Sequence, residues 1–290
     1  MKMAPRSGLA LLAAALALLA GCAREAMVAR ARAETLAQWL AAQSYSSWST
    51  FKREGQSPRT PASPDGLTLG SPNVFAAIGC DPEDLSAVEA LWGDRRTARP
   101  LAGKLTVAVR TGTDEDDRVP LSECESQTLQ RVRHTSIAVS RSEGDGFSVT
   151  CVDFAPMGEE DNLLVRWFLI ENTGQAARRV GLAFHLAAMG EWEKSGSRGW
   201  RRGGRLGVVS DGDLTPREDW LESGLRKLQP GERRAFSLLL VPAREAKRLA
   251  LYTERAEAAL ARLPELLEET RLEWEEWRPR AAGDGRPAHR

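Results

Sequence analysis

The residues whose types could do chemistry concentrate in Glu191–Arg205 (EWEKSGSRGWRRGGR), where Trp192 and Trp200 stand among Lys194, Arg198, Arg201, Arg202 and Arg205. An indole face stacks on the apolar face of a sugar ring, and a guanidinium offers forked donors to hydroxyls or carboxylates. Trp192, Trp200, Arg201 and Arg202 are therefore candidate glycan-binding residues. The alternative is an exposed hairpin whose Trp residues pack back onto a sheet. A second candidate surface is the pair Trp274 and Trp277, on a helical segment whose exposed apolar face would dock a partner. Other chemistry finds no spacing to support it. His134, His185 and His289 are far apart and no CxxC pair exists, which argues against a metal site. Asp114, Glu115, Asp116 and Asp117 lack the alternating spacing and Gly of an EF-hand loop, so they read as a solvated loop tip. No nucleophile-elbow motif is present. The sequence shows no catalytic constellation and implies no cofactor.

A mainly β body must position these residues. Gly146–Ala187 reads as three successive strands. In the last, Val180, Leu182, Phe184 and Leu186 alternate with Gly181, Ala183 and His185, the period of a half-buried strand. Leu163–Ile170 is apolar on both parities except at Arg166, which predicts a central strand covered on both faces. Asn172-Thr173-Gly174 between them predicts a tight hairpin turn. Upstream, short strands are expected at Val74–Ile78 and Leu105–Val109, with one or two helical turns in Asp81–Leu91. Leu129–Ser140 reads as one strand, ended by a turn at Glu143–Gly146, and Pro156 closes the strand after Asp153 and Phe154. Downstream strands are expected at Leu206–Val209, Leu225–Leu228 and Arg234–Val241, with the β region ending at Pro242. The period then becomes helical: Leu260, Leu263, Leu267, Trp274 and Trp277 share a stripe, and Pro264 kinks the segment or begins a second helix.

At the N-terminus, Lys2 and Arg6 precede an apolar run, Gly8–Ala20, too short for a bilayer span of roughly 20 residues. It ends in Leu19-Ala20-Gly21-Cys22, which resembles the lipobox of bacterial lipoproteins. That resemblance implies cleavage before Cys22, acylation of Cys22 and a lasting membrane anchor. Ala23 rather than Asp after the Cys implies the outer membrane, facing the periplasm or the cell surface. The reading divides the chain into a signal peptide (1–21), a helical stalk and Pro/Ser linker (22–66), a β-sandwich (67–242), an amphipathic helical segment (243–279) and a disordered tail (280–290). Ser44–Ser49 and Glu54–Gly66 belong to that linker. Cys80, Cys124 and Cys151 remain after lipidation, an odd number that allows at most one internal disulfide. Cys151 shares a strand face with Phe147 and Val149, so a buried thiol is at least as well supported. Forty basic residues balance 40 acidic ones, which argues against nucleic acid as a partner.

VTCVDFAPMGEEDNLLVRWFLIENTG, RRAFSLLLVPA and LLEETRLEWEEW, in that order, resemble the N-terminal domain of glucoamylase-type enzymes, glycoside hydrolase family 15 and its relatives. The resemblance covers about Leu67–Trp277 and rests on strand order, the DFAP and ENTG turns, and Thr270, Trp274 and Trp277. It implies a large antiparallel two-sheet super-sandwich, galactose-mutarotase-like, followed by a helical linker. In that family the catalytic carboxylates belong to an (α/α)6 barrel after the linker, where this chain stops. Glycoside hydrolysis needs two carboxyls about 5 to 10 Å apart. The acids available, Asp153 and Glu268, Glu269, Glu273, Glu275 and Glu276, read instead as a strand end and a solvated helix face. The expectation is a non-catalytic lipoprotein that binds glycans or supports a separate (α/α)6 glycosidase chain, docked at Trp274 and Trp277. The alternatives are an envelope structural or interaction lipoprotein without sugar binding, and a truncated glycoside hydrolase.

Overall fold

The computed structural model describes residues 27–52, 66–93, 100, 102–112, 117–158, 162–187, 191–243 and 245–283. Cys22, the linker residues 53–65 and Asp114–Asp116 lie outside them. Helix α1 spans 27–42. The strands that follow are β1 (Tyr45–Lys52), β2 (Leu67–Gly70), β3 (Phe75–Ile78), β4 (Val88–Trp92), β5 (Leu105–Arg110) and β6 (Arg118–Pro120). Next come β7 (Ser126–Val132), β8 (Ala138–Gly144), β9 (Phe147–Phe154), β10 (Leu164–Asn172), β11 (Arg178–Leu186) and β12 (Trp192–Ser195). The last are β13 (Gly199–Arg202), β14 (Leu206–Ser210), β15 (Leu214–Arg217), β16 (Trp220–Ser223), β17 (Arg226–Leu228) and β18 (Arg233–Pro242). Helices α2 (Ala246–Ala259) and α3 (Leu263–Gly283) are joined by one 3-10 turn, and Pro264 sits in the first turn of α3, where its missing N–H costs nothing.

All strand pairs are antiparallel and form two nine-stranded sheets. The first has the order β1-β7-β8-β9-β10-β18-β14-β13-β12; the second has β15-β16-β11-β5-β4-β3-β2, with β6 on β5 and β17 on β11. Between them lies one apolar layer. Phe168 of β10, Phe184 of β11 and Phe236 of β18 meet there with centroids 5.5 Å apart, within the range of favourable ring pairs. The other face of the first sheet carries Val152, Val165, Trp167, Leu239 and Val241. It is covered by Ala33 and Leu36 of α1 and by Leu249, Ala256, Leu260, Leu263 and Leu267 of the C-terminal helical run. Two covered faces explain why β9, β10 and β18 are apolar at both parities. Each fully buried Leu or Phe in these layers contributes about 1.5–3 kcal/mol.

The central stretch is three strands with Val180, Leu182, Phe184 and Leu186 buried, as the alternation predicts. The Asn172–Gly174 turn differs from expectation. β10 pairs with β9 and β18 while β11 belongs to the other sheet, so the turn is a crossover between sheets. Buried Asn172 holds it: Nδ2 donates to the carbonyls of Ala176 and Leu228, and Oδ1 accepts from the Gly174 N–H. Ser44–Ser49 is not linker but runs into β1, an edge strand on β7. The helical turns expected in Asp81–Leu91 are instead a turn leading into β4, because Val88 and Leu91 face the core. Leu129–Ser140 is not one strand. It breaks at 133–137, where His134 takes a positive φ of 68°, and folds back as the β7–β8 hairpin. The helix expected near the N-terminus is docked on the body: Arg32 bridges Asp211 at 2.8 Å and donates to the Leu260 carbonyl, and Trp39 Nε1 donates to Glu268 at 3.1 Å.

Candidate functional site

Among the described residues the helices pack on the first sheet, and their packing cluster contains no residue of the second. The outward face of the second sheet is built from the residues that alternate with its core positions. On β5 these are Thr106, Ala108 and Arg110; on β11, Arg179, Gly181, Ala183 and His185; on β16, Trp220 and Glu222. Register sets them in rows. Arg217 of β15 lies opposite Trp220, Trp220 opposite His185, and His185 opposite Thr106. One step along, Glu222 lies opposite Ala183, and Ala183 opposite Ala108. Side chains so paired sit about 4.5–5.5 Å apart at Cβ and interact directly.

Glu222 organises this face. Its buried carboxylate accepts from Arg118 Nε at 2.8 Å and pairs with Arg110 Nη2 at 3.1 Å, while Arg110 Nη1 donates to the Ser223 carbonyl at 2.9 Å. The Arg118 guanidinium lies 5.1 Å from the Trp220 ring centroid, and the His185 ring is 5.2 Å from it at 53°. Trp220 remains partly buried, flanked by the Arg118 guanidinium and the His185 ring. Ala183 and Ala108 beside it are fully buried. Such a set can stack a ring and hydrogen-bond its rim.

The four glycan candidates in the β12–β13 hairpin do not come together as one exposed set. Trp192 and Trp200 pack against the layer between the sheets. Arg202 lies 5.2 Å from the Trp192 centroid, Lys194 4.9 Å from that of Trp200, and Trp200 Nε1 donates to the Leu214 carbonyl at 3.2 Å. Arg201 points the other way and pairs with Glu193 at 2.5 Å. Arg202 also reaches the second sheet's end: it donates to the Leu186 carbonyl at 3.1 Å and pairs with Asp219. The hydrogen bond from Arg202 holds the Asp219 carboxyl below its ordinary range. The hairpin is thereby tied to the residues on either side of the Trp220–His185 pair. Trp274 and Trp277 meet edge to face at 5.4 Å near the end of α3, with Trp277 48% exposed.

Trp220, Glu222, Arg118 and Arg110 were missed by sequence reasoning. Arg110, Arg118 and the Trp220–Glu222 pair lie far apart in sequence, and the β5–β6, β5–β11 and β11–β16 pairings bring them together. The one available sign was Trp220 alternating with Glu222 in a polar stretch. Among the described residues no group of His, Cys, Asp and Glu is placed to hold a metal, and no helix is long and apolar enough to cross a membrane.

No protein-family model matches the chain, and no curated protein matches it. Among solved structures it is similar to a kojibiose phosphorylase from the human microbiome, at 7% identity and TM-score 0.48 over 72% of this chain and 35% of that one. It is also similar to a bacterial glucoamylase complexed with acarbose, at 11% identity and TM-score 0.43 over 79% and 40% of the two chains. A polysaccharide lyase matches at 14% identity and TM-score 0.33 over 60% and 33%. The chain thus spans well under half the length of each. By its own topology it is an antiparallel two-sheet β-sandwich with helices on one face.

Proposed function

We propose that this protein is a lipid-anchored, non-catalytic sandwich domain that binds glycan on the outward face of the second sheet. The observation that carries the reading is Trp220, partly buried and flanked by the Arg118 guanidinium and the His185 ring beside the Glu222 carboxylate. Aromatic platforms with fixed polar rims suit sugar rings, which present an apolar face and a circumference of hydroxyls. The lipobox ending in Cys22 and the sequence resemblance to glucoamylase-type sandwiches support the same reading. The hairpin joins it as a support: Arg202, pinned between Trp192 and Asp219, braces the turn before Trp220.

The test is titration of the lipidated protein in detergent with a panel of α- and β-glucans and envelope polysaccharides, followed by intrinsic fluorescence. Saturable, glycan-selective binding is expected, weakened at least about tenfold by Trp220→Ala, the loss of one stacked ring. Absence of binding across the panel contradicts the reading. Cys22→Ser is expected to leave the protein unacylated and to release it from membranes; membrane retention by that variant contradicts the anchor.

A second reading, docking of a separate glycosidase chain, is favoured by one observation. The Trp274–Trp277 pair leaves Trp277 exposed at the end of α3, beyond the buried Leu260, Leu263 and Leu267. Trp277→Glu is expected to abolish capture of such a chain without changing glycan affinity.

A further inference from the structure

Among the described residues the large apolar side chains that stay exposed all belong to the helices, and Met27 at the start of α1 is the most exposed of them, at 67%. Val28 beside it is 47% exposed. Neither serves the packing of its own helix. At about 100° per residue, both lie more than about 100° around the axis from Ala33, where the stripe buried on the first sheet begins. The helix itself is fixed on the body. Arg32 reaches Asp211 and the Leu260 carbonyl, both at 2.8 Å, and Trp39 reaches Glu268 at 3.1 Å. These contacts lay α1 along the C-terminal helical run, in the same direction as α3. At about 1.5 Å per residue, Trp277 then lies at the opposite end of the helical layer, roughly 30 Å from Met27 along the axes. Cys22 precedes Met27 by five residues, which span at most about 18 Å whatever path the chain takes.

Resting on the acylation of Cys22 proposed above, we infer that the first turn of α1 is a docking surface for the lipid bilayer. Met27 and Val28 enter the boundary between headgroups and acyl chains, and the body is seated on the membrane by that end. The acyl chains hold Cys22 at the edge of the hydrocarbon, beneath a headgroup layer of about 5–7 Å. A tether of at most about 18 Å keeps the first turn of α1 within or just above that layer. Because α1 is packed on the first sheet, the whole body follows its position. Two exposed apolar side chains beside a lipid interface lose water by entering it. On a free protein so small a contact would not hold a membrane. The short tether makes it intramolecular, and the high effective concentration lets two side chains suffice. The body therefore rests on the bilayer in one orientation, with Trp277 and the end of α3 away from the lipid.

The experiment reconstitutes the lipidated protein in phosphatidylethanolamine–phosphatidylglycerol vesicles, with a benzophenone side chain in place of Met27, Val28 or Trp277 in turn. After irradiation, intact mass reports both the acylation of Cys22 and what each probe has captured. All three positions are exposed, so the probes disturb no core contact. Lipid adducts are expected from positions 27 and 28, at least about tenfold above those from position 277, because the tether concentrates lipid at one end only. Inserting about twelve Gly/Ser residues after Ala23 lengthens the tether roughly threefold. It should cut the adducts by about fivefold, as effective concentration falls with the −3/2 power of length. In acylated protein, no lipid adduct from positions 27 and 28, or equal adducts from position 277, overturns the docking surface and leaves the anchor reading intact. Capture of a second copy of the chain in place of lipid overturns it as well, and adducts undiminished by the insertion overturn the role given to the tether. An unacylated Cys22 overturns the anchor and this inference together.

Discussion

Arg166 interrupts an otherwise apolar strand, and the fold takes it wholly into the layer between the sheets. Its Nε donates to Asp153 Oδ1 at 2.7 Å across the β9–β10 pair, its Nη2 donates to the Ser86 carbonyl, and the guanidinium lies 5.4 Å from the Phe168 centroid. Burial, the largest single influence, would lower the Arg166 pKa, but Asp153 by charge and hydrogen bond, with Cys151 and Asp84, together drive it up. Removing one member of such a pair strands the other, at a cost of about 3–5 kcal/mol, whereas replacing both with apolar groups is often neutral. Arg166→Met is therefore expected to lower the urea midpoint severely, and Arg166→Met with Asp153→Leu to recover most of the loss. Cys151, beside this pair, has its thiol pushed up by burial and then by the Asp153 charge. Thiolate is the reactive form, so Cys151 should resist alkylation until the protein unfolds; rapid labelling of Cys151 in the native protein contradicts its placement. Asp84 carries a pH signature. Burial raises its carboxyl above the ordinary range, against the hydrogen bond from Ser86 and the Lys104 and Arg166 charges. A folded value above the unfolded one means that ionising Asp84 costs stability as pH rises between the two. Asp84→Asn should therefore be more stable than the parent at neutral pH, with the difference closing as pH falls below the ordinary carboxylate range. A difference that widens on acidification contradicts this.

At the scale of elements, Asn172 shows why the sequence predicts a strand and misplaces its connection. The alternation in Val180–Leu186 depends on the strand's own two faces, and it is legible locally. Whether Asn-Thr-Gly closes a hairpin or carries the chain to the opposite sheet depends on partners far away, here the Leu228 carbonyl and the backbone at Gly146. Asn172→Ala removes three side-chain hydrogen bonds at a fully buried position and leaves their partners without them. It should destabilise by about 2–4 kcal/mol, each unsatisfied buried group costing about 1–3; a loss within experimental error contradicts the crossover geometry. β15 and β16 were illegible for a different reason. Each has four residues, and Pro216 sits in β15, on the sheet's edge, where a missing donor is tolerated. The helical stripe was legible, because Leu260, Leu263 and Leu267 all turn to the first sheet. Its last two members, Trp274 and Trp277, lie beyond the covered part.

Among the described residues the molecule is asymmetric: helices roof the first sheet, and the second carries a charged and aromatic row on the face away from the core. Period predicted a mainly β body with a central strand covered on both faces, and the resemblance to glucoamylase-type sandwiches implied its two sheets. The site was legible only in kind. An aromatic–arginine surface was expected, but proximity in sequence favoured Trp192 and Trp200, whose rings the fold turns inward under Arg202 and Lys194. The row through Arg217, Trp220 and His185 is assembled from three strands, and no window of sequence contains it. The most direct measurement is therefore the glycan affinity of two variants side by side, Trp220→Ala and Trp200→Ala, with urea midpoints confirming that both fold. The account predicts that Trp220→Ala weakens saturable binding at least about tenfold, while Trp200→Ala lowers stability and leaves affinity unchanged. Intact binding in Trp220→Ala, with loss confined to Trp200→Ala, would contradict it and move the site to the hairpin.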